Sequence, residues 1–111
     1  MKQNIDLKQL QEYIELKTDK GKITGFDPIK YATLRKALSI DNSGRAIVAN
    51  TVTIGKMIEM LGANIIEIDN NGNFWEVATC VNGNIKLFAE KDLCDALWEA
   101  VKWHIGGVDN G

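Results

Sequence analysis

Histidine occurs once, proline once and cysteine twice in the 111 residues. Each scarcity removes a class of function. A secreted disulfide scaffold carries more cysteines in a smaller, loop-rich chain. A zinc site would need Cys80, Cys94, His104 and a carboxylate to converge, and no Cys-x-x-Cys spacing prepares one. No apolar run approaches the roughly 20 residues that cross a bilayer, and residues 2–4 lead into a polar helix rather than an apolar signal core. An excess of one charge is missing too: 13 basic against 15 acidic residues leave a net charge of −2. Nucleic-acid binders gather a basic stripe that displaces counterions from phosphates. Here Lys17, Lys20 and Lys22 are interleaved with Asp19, and Lys30, Arg35 and Lys36 follow as a solvated helix face. A DNA mimic would need denser carboxylates. The expectation is a cytoplasmic protein with no membrane contact, no metal and no cofactor, for which nucleic acid is a disfavoured partner.

What is present suits one ordinary domain over residues 1–111. The chain is 45% apolar and 25% charged, and a domain of this size buries roughly two thirds of its unfolded surface. Its first fifty residues read as mainly helical. Asp6 is an N-cap with Gln9 as capping-box partner, and Ile5 staples onto Leu10. Leu7, Leu10 and Ile14 recur at helical spacing, so a first helix is expected to end near Lys17, with a loop over residues 18–25. Asp27-Pro28 starts a second helix, since aspartate caps free N–H groups and proline fits the first helical position. Tyr31, Leu34 and Leu38 form its stripe. A turn at residues 41–44 precedes a short apolar run, residues 46–49, read as a candidate edge strand.

Residues 51–106 read as a helix–meander–helix module. Thr53 caps a helix whose buried face is Ile54, Met57, Ile58 and Leu61, and Gly62 stops it. The period then changes from 3.6 to 2. Ile66 and Ile68 alternate with Glu67 and Asp69, and residues 70–73 form a hairpin loop. Trp75, Val77, Thr79 and Val81 share one face of the next strand, and Phe74, Glu76, Ala78 and Cys80 the other. Asn82-Gly83 is a type I′ hairpin signal, and Ile85 and Leu87 continue the meander. A last helix over residues 91–105 carries Leu93, Leu97, Val101 and His104 along one stripe, with Cys94, Trp98 and Ile105 beside it. Residues 107–111 are expected to be a flexible tail. The fold class is α+β: a three-stranded antiparallel meander, with residues 46–49 as a short fourth strand, packed by about four helices.

The helix at residues 53–61, the Trp-bearing strand pair and the final helix with Leu93, Trp98 and Val101 together resemble the phage ABA-sandwich domain family of small phage and prophage proteins. The resemblance covers residues 52–105. It implies the same helix–meander–helix arrangement and a phage or prophage origin, and it carries over no catalytic residue.

The chemistry-bearing residues form no recognisable catalytic set. His104 sits at a helix C-terminus without the oriented acid and nucleophile of a triad. Cys94 lies in a helical first turn, but Asp92 and Asp95 flank it and oppose thiolate formation. Gly44 and Gly55-Lys56 stand eleven residues apart, and Met57 follows the lysine, so no phosphate loop forms. Glu67, Asp69 and Glu76 read as the solvated face of a hairpin. The aromatics point to binding instead. Phe74 and Trp75 face opposite sides of one strand, and Trp103 falls at the edge of the last helix's apolar arc. At least one of Phe74, Trp75 and Trp103 is therefore expected on a contact surface. The leading expectation is a non-enzymatic accessory protein that binds a host or phage protein, or a second copy of itself. The alternative is a small-ligand, nucleotide-like binder built on a Trp platform and asparagine-rich loops.

Overall fold

Capping chemistry sets most of the element boundaries. The structure, a computed structural model, describes residues 2–17, 23–38 and 45–106. The expected turn at residues 41–44, the tail and residues 18–22 of the expected 18–25 loop lie outside the described residues. Asp6 caps α1 (Leu7–Ile14): Gln9 N–H donates to its Oδ1 at 2.7 Å, and Asp6 N–H donates to Gln9 Oε1 at 3.0 Å. The Gln9 N–H holds the Asp6 carboxyl below the ordinary carboxylate range. Asp27 Oδ1 accepts from Ile29 and Lys30 to start α2 (Pro28–Ala37), with Pro28 at the first position. Thr53 Oγ1 accepts from Lys56 N–H at 3.1 Å and starts α4 (Ile54–Leu61). Gly62 closes that helix at φ +52°, in the left-handed region where a side chain is strained. Cys94 N–H donates to Asp92 Oδ1 at 3.0 Å at the start of α5 (Leu93–Gly106).

Two local readings of the first half are corrected. Residues 46–49 are not a strand: they belong to α3 (Arg45–Thr51). Val48 and Val52 stand four residues apart and are both buried, and Val52 N–H reaches back to the carbonyls of Val48 and Ala49. A four-residue apolar run carries no period of its own, and packing decided it. The first helix stops at Ile14 rather than near Lys17. Glu15 turns extended, and β1 (Glu15–Lys17) pairs antiparallel with β2 (Ile23–Phe26), so the expected loop is in part a two-stranded ribbon.

The main sheet is the expected antiparallel meander, in the order β3 (Ile65–Asn70), β4 (Trp75–Val81), β5 (Asn84–Glu90). Together with the five α-helices among the described residues and a 3₁₀ turn at Gly62–Asn64, it makes an α+β fold. Asn82 (φ +52°) and Gly83 (φ +82°) make the tight β4–β5 turn, which pairs Val81 with Asn84. β3 departs from simple alternation. A bulge between Ile65 and Glu67 sets Ile65 opposite Thr79 and Ile68 opposite Val77, while Ile66 is 55% exposed. Ile65 and Ile68, not Ile66 and Ile68, pack against the core.

α5 is the centre of that core. One side lies on β4 and β5 and beside α4. Trp98, on the same helix, meets Tyr13 of α1 edge-to-face, with ring centroids 5.5 Å apart. Lys2 ties the start of the chain to the first turn of α5. Its backbone N–H donates to Asp92 Oδ2 at 3.3 Å, and its ammonium lies 3.0 Å from Asp95 Oδ1. Buried residues of both halves, among them Leu10, Ile14, Leu34, Val48, Val77 and Leu97, form one cluster. None of the described helices is long and apolar enough to cross a membrane.

Candidate functional site

Alternation along β4 divides the sheet into two unlike faces. Val77 and Thr79 are buried on the inner face under α5, with Trp75 and Val81 half-buried beside them. The hairpin register places Phe88 opposite Val77 and Lys86 opposite Thr79. Trp103 of α5 packs on Phe88, with ring centroids 6.0 Å apart. The Lys86 ammonium lies 5.5 and 5.7 Å from the centroids of Phe88 and Trp103. The outer face has no described element against it. There Ile85 is 72% exposed, Leu87 57% and Phe74 41%. Ile85 stands opposite Cys80, Leu87 opposite Ala78, and Ala89 opposite Glu76.

The three aromatics singled out from the sequence therefore separate. Phe74 lies exposed immediately before β4. Trp75 is half-buried against the core. Trp103 is only 8% exposed, because the inner face of β5 supplies Phe88 as its partner. The residues that sequence reasoning missed are Ile85 and Leu87. Hairpin arithmetic was the available signal. A two-residue Asn82-Gly83 turn makes Val81 and Asn84 partners, and this puts Ile85 and Leu87 on the face of Cys80 and Ala78, away from Val77.

Acid chemistry adjoins this apolar strip. Glu67, Asp69 and Glu76 line an open recess together with Ala78 and Leu87. Asp69 and Glu76 stand directly opposite each other across β3 and β4, where like charges repel. No ion pair among the described residues involves any of the three. Phe74 is held by the loop before it. Asn73 and Phe74 N–H groups donate to Asn71 Oδ1 at 3.0 and 2.9 Å, and Gly72 N–H donates to Asn70 Oδ1 at 2.7 Å. Those asparagine oxygens thus serve the loop's own backbone, and the tryptophans lie against the core. The arrangement does not favour the nucleotide-like alternative.

The nucleophile and base candidates do not come together: Cys80 is on the outer face, Cys94 is buried in α5, and His104 lies near the end of that helix. Cys94 is buried, and burial pushes its thiol up to about 11, with Lys2 opposing and Asp95 and Asp92 adding to the rise. Cys80 is half-exposed on the outer face. An alkylating reagent at pH 7.5 is therefore expected to modify Cys80 in the folded chain and Cys94 only after denaturation. Mass spectrometry of the labelled peptides checks this, and rapid native labelling of Cys94 would contradict it. His104 Nδ1 lies 3.4 Å from the Asn64 amide nitrogen, and among the described residues no ion pair involves His104. Among the described residues, no group of three or more His, Cys, Asp or Glu side chains is placed to hold a metal ion.

No protein-family model, curated protein or solved structure matches the chain.

Proposed function

We propose that the chain is a non-enzymatic accessory protein, of phage or prophage type, that acts by binding another protein through the outer face of its sheet. The observation that carries the docking reading is the row of exposed apolar side chains, Ile85, Leu87 and Phe74, on a sheet face with no described element against it. Large apolar side chains grouped on one face mark contact surfaces more often than chance exposure. The phage assignment rests on the resemblance of residues 52–105.

The edges of the sheet are poor alternatives to its face. On β5 an inward-facing lysine, Lys86, interrupts the edge. On β3 a bulge and the exposed Glu67 and Asp69 do the same. Both are devices that block strand addition. Ile85→Ser combined with Leu87→Ser tests the reading. Exposed positions tolerate such changes within about 0.5 kcal/mol each, so the melting curve should hardly move. A partner captured from a bacterial lysate by the wild-type chain should be lost by the double variant. Equal capture by both forms would place the contact elsewhere.

A further inference from the structure

The outer face is asymmetric, and its asymmetry constrains what can lie on it. Carboxylates occupy the β3 side and the β4 position beside it: Glu67, Asp69 and Glu76. Apolar side chains occupy the β5 side and the rest of β4: Ile85, Leu87, Ala89, Ala78 and Cys80. Resting on the docking reading above, we infer that this face receives an amphipathic helix of a partner protein that carries Lys or Arg along one flank of its apolar stripe.

Three observations lead there. The first is charge. Three carboxylates crowd one side, two of them directly opposed across the strands, and no ion pair among the described residues relieves them. A basic flank would relieve that repulsion, whereas phosphate backbones and anionic lipid surfaces would add to it.

The second is symmetry. A second copy laid over the whole face must be related by a two-fold axis in the interface plane. An axis along the strands sets each acidic β3 side on the other copy's Leu87 and Ile85. An axis across the strands sets acids on acids. Neither arrangement matches the face to itself.

The third is size. Three strands span about 10 Å between outer strand axes, and the seven residues of β4 run for about 23 Å. One helix is about 10–12 Å across with its side chains, and about 15 residues cover that length. A single helix of four turns fills the face, with its apolar stripe over β4 and β5 and its basic flank over Glu67, Asp69 and Glu76.

The test uses the full chain and three synthetic 18-residue helical peptides with one shared Leu/Ile stripe, flanked on one side by Lys, by Gln or by Glu. Binding is read by fluorescence anisotropy. The Lys-flanked peptide should bind roughly tenfold tighter than the Gln-flanked one, from three partly screened ion pairs. The Glu-flanked peptide should bind weakest, and added salt should shrink the spread. Glu67→Gln with Asp69→Asn and Glu76→Gln should erase the Lys preference while the Gln-flanked peptide still binds. Ile85→Ser with Leu87→Ser should weaken all three. If all three peptides bind alike and lose affinity in the serine variant, the basic partner is overturned while the docking face stands. Binding that the serine variant leaves undiminished overturns both. If no peptide binds, the helical partner is overturned, and the lysate comparison decides the face separately.

Discussion

Trp98→Ala is expected to remove about 3–5 kcal/mol of stability, the range for deleting a large buried aromatic. Trp98 is essentially inaccessible to solvent and joins the two halves of the fold. Its ring meets Tyr13 edge-to-face at 5.5 Å, and the Lys102 ammonium lies 5.8 Å from its centroid. The aromatic contact alone is worth about 0.5–1.5 kcal/mol beyond the buried area. Domains of this size shift their melting temperature by roughly 4–8 °C per kcal/mol, so the midpoint should fall by on the order of 15–30 °C. Thermal circular dichroism reads it directly. A fall of only a few degrees would show that α1 and α5 do not share one core.

Thr79→Val should act in the opposite direction. Thr79 is fully buried at the centre of the inner face, and its Oγ1 finds no hydrogen-bond partner among the described residues. An unsatisfied buried hydroxyl costs about 1–3 kcal/mol. Valine keeps the branched shape and strand preference and removes the polar atom. A gain of about 1 kcal/mol is expected, visible as a higher denaturant midpoint at unchanged slope. Thr79→Ala is the control: it removes the hydroxyl but opens a void, and should not stabilise. A loss of stability in Thr79→Val would mean that a trapped water satisfies the hydroxyl.

The parts of this fold that are legible in the sequence are those decided by chemistry within a few residues. Asp6 with Gln9, Asp27 with Pro28, Thr53 with Gly62, and Asn82 with Gly83 all name their elements correctly, because a cap or a tight turn is satisfied locally. The misread parts depend on distant partners. Val48 is helical because it packs into a core built from both halves. Leu16 and Gly25 are partners across a ribbon, a pairing that no local pattern announces. Ile66 is exposed because a bulge shifts β3 by one residue, and alternation alone cannot reveal a bulge. The candidate face falls between these cases. Phe74 was singled out from strand alternation alone, whereas Ile85 and Leu87 required the hairpin register to be carried across the turn.

The contacts of Lys2 with Asp92 and Asp95 carry a consequence for biosynthesis. These contacts join residues 90 or more positions apart. α5 follows every other described element, yet α4, β4 and β5 pack on it and Tyr13 of α1 meets its Trp98. A nascent chain emerges from its N-terminal end, so Tyr13 and the α4 helix are made long before the helix they pack against. Long-range closure of this kind slows folding. During translation the face of α4 that packs on α5 would remain open to chaperones, and a ribosome stalled ahead of residue 93 would hold a chain that cannot complete its core.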